Sequence, residues 1–186
     1  MSEGFSCIAR KLLEPIESAV LQEFSFFVNG IPCPQGSKNA FARMKTGVNG
    51  RVTPVAVMVE QSKGLPVWRA AVKAGALKAK PEQWEKTGLF FVTAIYYFPR
   101  PASHFRSNGQ LKPNAPIIKV SKPDRDKLDR AIGDAITGVA YEDDASSAIG
   151  FGMKIYCDGQ RLPGAFISIA RLDSALAGAP LAWLAP

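Results

Sequence analysis

Acidic residues are concentrated at the two ends of one short segment of this chain. The run Lys122-Pro123-Asp124-Arg125-Asp126 precedes an amphipathic stretch, and Tyr141-Glu142-Asp143-Asp144 follows it. Carboxylate oxygens are hard ligands that suit Mg²⁺, which usually takes one or two from the protein and completes its octahedron with phosphate and water. Because the rest of the chain is basic, this placement indicates metal-dependent phosphodiester chemistry on a nucleic acid.

The formal net charge of +7 is unevenly distributed along the sequence. Between Gly36 and Lys122 there are 15 Lys or Arg and three Glu, whereas residues 123–144 contain seven acids and three bases. Cations that hold a polyanion, placed around carboxylates that hold a metal, are what a phosphate-cleaving enzyme needs. A basic surface that is merely solvated is the alternative interpretation.

Length and composition predict one globular domain with tails. The 186 residues, 47% of them hydrophobic, can bury a sizeable core. We expect an N-terminal arm at 1–23, a domain at 24–172 and a C-terminal tail at 173–186. Since no apolar run approaches the roughly 20 residues of a membrane span and charges interrupt the first 20 residues, we expect a soluble cytoplasmic protein with no membrane partner. Three scattered Cys and a single His indicate neither a disulfide framework nor a zinc site.

Hydrophobic periodicity predicts an α/β domain. Pro66–Lys80 fits a helix whose apolar positions are Val67, Ala70, Ala71, Ala74 and Leu77. Leu89–Phe98 is apolar at both parities, which is typical of a central strand covered on both faces. Further strands are predicted at Phe24–Val28, at Ile149–Ile155 and at Ala165–Arg171, and we expect the last two to pair as a hairpin through a turn at Gly159.

A second helix separates the two acidic clusters. Its apolar stripe has the spacing i, i+3, i+4, i+7 and i+8 and consists of Leu128, Ala131, Ile132, Ala135 and Ile136. Asp124 and Asp126 lie at its start, where carboxylates favour the positive end of the helix dipole, and Gly138 ends it. Such aspartates are also common helix caps, and Asp143 and Asp144 are common turn formers. On chemistry alone, metal-dependent cleavage and structural capping on a nucleic-acid-binding surface both stay open.

Two irregular segments carry basic residues that could contact DNA. Ile31–Lys38 is a rigid Pro/Gly loop that leads into further cations, and Pro99–Ser121 is a long loop that runs into the acidic segment. We expect the second to act as a flexible DNA-contacting flap, with a solvated insertion as the alternative. The predicted DNA-contacting residues are Lys38, Arg43, Lys45, Arg100, Arg106, Lys112, Lys119, Lys122 and Lys127.

The order of these motifs resembles the signature of the RusA family of Holliday junction resolvases. The resemblance rests on Lys122-Pro-Asp-Arg-Asp-Lys-Leu, Arg130, Asp134-Ala-Ile-Thr-Gly138 and Tyr141-Glu-Asp-Asp144, and it spans about residues 120–157. The Gly30–Lys38 loop and the strand before it are similar to the N-terminal region of the family. The resemblance implies a single-domain α/β fold, with a small mixed sheet packed by two or three helices. It also implies a homodimer that nicks four-way or branched DNA symmetrically with Mg²⁺ or Mn²⁺, in a bacterial or phage-infected cell.

Matched position by position, the resemblance implies catalytic and metal-binding roles for Asp124, Asp126 and Asp144. We expect Asp143 to be a supporting ligand or to accept a hydrogen bond from a group that contacts the metal. The family's catalytic lysine falls on Arg130, and a position usually occupied by Asn falls on Lys127. Arg130 keeps the positive charge, but its head is wider and planar and cannot be deprotonated. A nuclease for flaps, forks or duplex DNA and a non-catalytic DNA-structure-binding protein remain the alternatives.

Overall fold

The computed structural model describes residues 16–36, 38–46, 52–60, 63–146, 149–158 and 161–178. Within these ranges the chain forms six strands and two helices of more than five residues. In chain order they are β1 (Val20–Asn29), β2 (Lys38–Thr46), β3 (Val52–Glu60), α1 (Leu65–Ala79), β4 (Leu89–Phe98), α2 (Arg125–Ile136), β5 (Ile149–Tyr156) and β6 (Gly164–Leu172).

The main sheet has four strands in the order β1-β6-β4-β5. Strand β6 pairs antiparallel with both β1 and β4, and β5 pairs parallel with β4, so the sheet is mixed. The prediction that Leu89–Phe98 is a central strand is confirmed, because β4 has a neighbour on each side. The fold is a single α/β domain, as the sequence and its resemblance to the family imply.

Strands β5 and β6 do not form the predicted hairpin. Strand β6 lies between β1 and β4, and β5 occupies the edge next to β4. The buried side chains of β6 lie on both of its faces, as Ile167 and Leu172 illustrate, and a strand of that kind belongs inside a sheet. Adjacency in the sequence therefore predicted the wrong neighbour for β6, which pairs with β1 and β4 and not with β5. Gly159, the predicted turn residue, lies outside the described residues.

The N-terminal part of the predicted domain contains a second sheet that the sequence analysis missed. Strands β2 and β3 pair antiparallel, with Arg43 opposite Val55 and Lys45 opposite Thr53. Strand β1 also starts earlier than predicted, at Val20, inside the segment 1–23. Residues 1–15 and 179–186, which include Cys7 and most of the predicted tail, lie outside the described ranges.

Helix α1 spans the predicted residues but buries a different face. Its buried residues are Leu65, Trp68, Val72 and Ala76, whereas Val67 and Leu77 are exposed. The predicted stripe contained mainly alanines, and the large indole of Trp68 has far more apolar area to remove from water. Gly75 supports this orientation, since a Cβ there would lie 2.8 Å from the Phe26 ring.

Helix α2 buries the predicted stripe. Leu128, Ala131, Ile132, Ala135 and Ile136 are all buried, and they join the core that α1 and the sheet form together. This core contains β-strand side chains from one face of the sheet, among them Phe24, Phe90, Tyr96 and Ile167. The packing fixes which side of α2 faces the solvent and therefore where its acidic residues lie.

Two valines of α1 test the corrected orientation. Val72 is fully buried and Val67 is 74% exposed. Val72→Ala should lower the free energy of unfolding by about 2 kcal/mol, because it removes two buried carbon groups and leaves a cavity. Val67→Ala makes the same change in helix propensity and should stay within about 0.5 kcal/mol of wild type. Urea denaturation of both variants measures the difference, and equal losses would contradict this orientation of α1.

Candidate nuclease site

The start of α2 is held in place by contacts from the neighbouring strand and loop. The Lys154 ammonium on β5 donates to the carbonyl oxygens of Ser121 (2.9 Å) and Pro123 (2.6 Å). From the other side, the backbone N–H of Gln35 donates to the carbonyl of Lys127 at 2.9 Å. The segment that carries Asp124 and Asp126 is thereby tied to the sheet edge and to the Pro/Gly loop.

Asp124 occupies the N-cap position of α2 without acting as a side-chain cap. Its backbone is extended, and no capping hydrogen bond from its carboxylate is formed. Instead, the carboxylate lies 3.3 Å from the Lys127 ammonium, three residues along the helix. Since both side chains are about half exposed, the carboxylate of Asp124 stays accessible from solvent. The capping alternative therefore has no support at Asp124.

Asp126 and Arg130 are exposed on the solvent side of α2. They are four residues apart, so they lie on the same side of the helix, one turn from each other. Asp126 is in the first turn, where the helix dipole favours negative charge. Asp134 follows one further turn along and forms an ion pair with Arg69 of α1.

Asp143 and Asp144 follow the other end of α2 and contact each other. The pKa of Asp143 is lowered, first by the hydrogen bond from the backbone N–H of Ala145 and then by the contact with the Asp144 side chain. The Asp143 carbonyl also accepts from the Ser146 hydroxyl. Asp143 thus forms the turn, as the sequence allowed, through hydrogen bonds with Ala145 and Ser146. The side chain of Asp144 contacts Asp143.

The two carboxylate pairs do not form a ready metal cage within the described chain. Asp124 precedes α2 and Asp143 lies seven residues beyond its end, and a helix of 12 residues is about 18 Å long. Among the described residues, no group of three or more His, Cys, Asp or Glu is placed to hold a metal ion. The donor types suit Mg²⁺, which is commonly held by one or two carboxylates together with a substrate phosphate. A site shared by Asp124, Asp126 and Asp144 therefore stays a prediction.

The predicted DNA-contacting residues divide into tied and accessible groups. Arg100 holds its own loop, because its guanidinium donates to the carbonyls of Cys157 (2.6 Å) and Pro116 (2.8 Å). Lys119 lies 5.2 Å from the centre of the Phe98 ring and 5.6 Å from that of Tyr156. In contrast, the exposed residues are Arg106, Lys112 and Lys122. Lys38, Arg43 and Lys45 lie on β2, in the part of the chain where side chains are not described.

An open groove lies beside the start of α2. Its volume is about 560 Å³, and Lys119 and Lys122 are its basic residues. The remaining wall is largely apolar and rich in proline, with contributions from Ile31, Pro32, Cys33, Pro34, Gly64, Phe98, Pro99 and Pro123. The groove therefore connects the Pro/Gly loop, the long loop and the Asp124 segment into one surface.

Tyr96 and the half-buried Asp129 form a hydrogen-bonded pair beneath the exposed face of α2. The Tyr96 hydroxyl donates to one Asp129 carboxylate oxygen at 2.7 Å, and Arg125 donates to the other at 2.7 Å. Burial raises the pKa of Asp129, and the Tyr96 and Arg125 contacts oppose that shift. Burial, followed by the charge of Asp129, also raises the pKa of Tyr96. The carboxylate lies directly over Gly152 of β5, where a Cβ would overlap it.

The family model for the endodeoxyribonuclease RusA matches residues 34–169 of this chain. The chain belongs to the RusA endodeoxyribonuclease family. The matched range of this RusA-family nuclease includes Asp124, Asp126, Arg130 and Asp144, together with both helices and most of the main sheet. No curated protein sequence matches the chain. No helix in the described part of the nuclease is long and apolar enough to cross a bilayer.

Sequence reasoning missed Asp129 of this RusA-family nuclease. Asp129 lies between the apolar position Leu128 and the exposed Arg130, and nothing in that order indicates a partner 33 residues earlier on β4. The only available signal was the pair Gly150 and Gly152, since glycines inside a strand can mark a close approach by another group. Gly150 lines a small cavity of about 200 Å³ between α2 and the edge of the sheet, together with Asp129 and Tyr96.

The raised pKa of Asp129 predicts a pH-dependent contribution to stability. The folded nuclease binds the Asp129 proton more tightly than the unfolded chain does. The protonated Asp129 therefore adds to the free energy of unfolding, and this contribution is fully present below the ordinary Asp pKa of about 3.9. The contribution is lost as the pH rises through the pKa of Asp129 in the folded state. Asp129→Asn keeps an acceptor for Tyr96 and removes the titration. Relative to wild type, its free energy of unfolding should therefore increase as the pH rises above about 4.

Urea denaturation at a series of pH values measures this difference. Glu82→Gln is a suitable control, because it also removes one carboxylate but at an exposed position remote from Tyr96. Its stability relative to wild type should show less pH dependence than that of Asp129→Asn. The inference that burial disfavours the charged form of Asp129 would be contradicted by either of two results. The free energy of unfolding of Asp129→Asn relative to wild type would stay constant with pH, or it would decrease as the pH rises.

Proposed function

We propose that this RusA-family endodeoxyribonuclease resolves Holliday junctions and related branched DNA by paired symmetric nicks. The observation that supports the proposal most strongly is the state of Asp124 and Asp126. Both carboxylates are exposed at the positive end of α2, and the carboxylate of Asp124 is not used for capping. A groove with two lysines lies directly beside them. Anionic ligands for a metal next to cations for phosphate are the combination that phosphodiester cleavage requires.

The proposed cofactor is Mg²⁺, or Mn²⁺ in its place. Asp124 and Asp126 would hold it, with a DNA phosphate and water among the remaining ligands. Asp144, with Asp143 in support, lies beyond the other end of α2 and would join the same ion only if that end approached Asp124. When bound, such an ion supplies a hydroxide nucleophile at neutral pH and stabilises the charge that develops on the phosphate and the leaving oxygen. This role agrees with the exposure of the four carboxylates, since each is accessible to an ion that arrives with DNA.

The residues of the chain itself bind and orient the DNA. Arg130 lies one turn beyond Asp126 and would contact the scissile phosphate, where its charge offsets that of the transition state. Lys127 holds the Asp124 carboxylate at 3.3 Å and thereby restricts its direction. Lys122 and Lys119 line the groove and would contact flanking phosphates, whereas Arg100 acts by fixing the long loop through two backbone carbonyls.

The proposed partners are four-way DNA and a second copy of the chain. A two-fold enzyme is the simplest device for making paired cuts on a two-fold junction. The proposed setting is the cytoplasm of a bacterial or phage-infected cell. A nuclease that prefers flaps, forks or duplex DNA would differ in its products on a panel of labelled substrates.

Two observations favour a second candidate, a DNA-structure-binding protein without catalysis. The described residues contain no group of three or more potential ligands arranged for a metal, and arginine replaces the lysine that the family resemblance implies at position 130. Mapping the products of a labelled mobile junction on all four strands, with and without Mg²⁺, separates the two candidates. Symmetric metal-dependent nicks support resolution, and binding without products supports the alternative.

Asp126→Asn tests the catalytic carboxylate. It should reduce the rate of Mg²⁺-dependent nicking by about 10²–10³-fold, because it weakens the hold on the ion that would stabilise the charge of the transition state. Binding to the junction should be retained or strengthened, because the change removes one negative charge near DNA. The matched control is Asp134→Asn, which alters an exposed aspartate on the same helix that pairs with Arg69. Nicking at the wild-type rate by Asp126→Asn would exclude Asp126 from the mechanism.

Variants of Arg130 test whether charge or shape is required at that position. Arg130→Ala should lower the single-turnover nicking rate by about 10²-fold, whereas Arg130→Lys should lose less than about tenfold because it retains a cation. Arg125→Ala serves as the control, since Arg125 starts the same helix but pairs with Asp129. Equal rates for Arg130→Ala and wild type would show that Arg130 does not contact the reacting phosphate.

A further inference from the structure

Lys154 of β5 lies on the face of the main sheet that α2 covers. The strand register pairs Lys154 with Tyr96 of β4, and paired residues on neighbouring strands point to the same face. On this face the Tyr96 hydroxyl reaches the Asp129 carboxylate of α2. The two preceding positions of β5 on the same face are Gly150 and Gly152, and Gly152 passes directly beneath that carboxylate. Lys154 is thus the first residue of β5 that directs a side chain toward α2.

The ammonium of Lys154 holds two carbonyls in the segment that leads into Asp124. It donates to the carbonyl oxygen of Ser121 at 2.9 Å and to that of Pro123 at 2.6 Å. The Lys154 side chain is half-buried, and hydrogen bonds from a charged donor are among the strong ones in proteins. Because the Pro123 carbonyl belongs to the peptide bond with Asp124, these contacts fix the backbone immediately before the first acidic residue of the site.

The start of α2 depends on such contacts because it has no side-chain cap. Helices commonly secure their first turn through a side chain at the N-cap position, but the Asp124 carboxylate makes no capping hydrogen bond. The first hydrogen bond of the helix, from the Leu128 N–H to the Asp124 carbonyl, is long at 3.4 Å. A carboxylate that is left available to an ion therefore leaves the first turn to be held from outside the helix.

The charge of Lys154 is not placed where the helix dipole favours it. The N-terminal end of a helix carries partial positive charge, so a cation beside it is disfavoured unless it has another partner. For Lys154 the partners are the carbonyls of Ser121 and Pro123, which precede α2. The backbone segment 121–123, and not the helix, therefore explains why a lysine stands at this position of β5.

We propose that Lys154 is a positioning residue for Asp124 and Asp126, because its ammonium supplies from the sheet the restraint that a side-chain cap would supply from the helix. In this role Lys154 contacts neither the ion nor DNA and acts only through the carbonyls of Ser121 and Pro123. The proposal rests on the proposed function, since the direction of the two carboxylates matters for nicking only where they hold the ion beside the scissile phosphate. A misplacement of about 1 Å in such a site can reduce the rate by about 10²-fold.

Lys154→Met removes the ammonium and keeps an unbranched apolar side chain. In single-turnover nicking of a four-way junction with Mg²⁺, its rate at saturating enzyme should fall by about 10²-fold, whereas the dissociation constant of the junction should stay within about twofold of wild type because no phosphate contact is lost. Lys154→Arg retains donors for the carbonyls and should lose less than about tenfold in rate. The matched control is Lys80→Met. Lys80 is also half-buried and donates to a backbone carbonyl, that of Pro81 at 3.2 Å, so its variant loses the same charge and should nick at the wild-type rate.

The salt dependence of binding separates positioning from a phosphate contact. Removing a lysine that contacts a phosphate weakens binding and reduces the slope of log K against log salt by about 1. Lys154→Met should keep the wild-type slope. A reduced slope with weaker binding, or nicking at the wild-type rate by folded Lys154→Met, would overturn the positioning role.

Hydrogen exchange of the chain without DNA or metal tests the restraint itself. In Lys154→Met the amides of residues 128–131 should exchange about tenfold faster or more, because the first turn of α2 opens more often. The amides of residues 133–136, and all of α2 in Lys80→Met, should exchange as in wild type. Unchanged exchange at residues 128–131 would contradict the restraint. Circular dichroism shows whether each variant is folded, and Lys154→Gln takes the place of Lys154→Met if Lys154→Met is not.

The positioning role and the proposed function can fail separately. A wild type that does not nick junctions with Mg²⁺ refutes the proposed function, and the exchange measurement still decides whether Lys154 holds the start of α2. Equal nicking by wild type and Lys154→Met refutes the positioning role alone.

Discussion

The packing of the α2 stripe against the sheet is the contact on which the rest of the structure depends. Leu128, Ala131, Ile132, Ala135 and Ile136 are all at most 5% exposed. Their burial fixes the rotation of the helix, and the positions one turn apart at 126, 130 and 134 consequently face the solvent. The same contact places Asp129 over Gly152 and within reach of the Tyr96 hydroxyl. A hydrophobic contact thus decides the direction of every acidic side chain on this helix.

Electrostatic requirements are met by separating the charges in space. The carboxylates proposed to hold a metal are exposed, where water limits their mutual repulsion until an ion arrives. Asp129 is instead half buried and is satisfied by Tyr96 and Arg125. Cations are kept close by backbone carbonyls, as Lys154 and Arg100 show. These basic residues fix the loops around the site, so part of the large positive charge of the chain serves structure rather than DNA.

The sequence predicted those features that depend on local pattern and failed on those that depend on long-range pairing. The stripe of α2 was predicted residue by residue because a 3.6-residue period with five apolar side chains has one favourable orientation. The predicted buried face of α1 was wrong. The predicted apolar stripe consisted mainly of alanines, and the one large residue that the helix buries, Trp68, did not belong to it. The predicted β5–β6 hairpin was wrong because β6 is buried on both faces and therefore lies inside the sheet, between β1 and β4. The hydrogen bond from Tyr96 to Asp129 was missed because its two residues are 33 positions apart in the sequence. For the candidate site residues, the sequence pattern predicts that they lie on α2 or in the turns beside it. It does not predict the distances between them.

The central claim is that the exposed carboxylates at the start of α2 hold a divalent ion when DNA is bound. Iron(II) in place of Mg²⁺ generates hydroxyl radicals, with ascorbate and peroxide, that cleave the polypeptide beside the metal, and the fragments report which segments surround it. With a four-way junction bound, we predict cuts near residues 122–126, and their loss in Asp126→Asn. The absence of cuts near residues 122–126, or the same cuts in Asp126→Asn, would contradict the account.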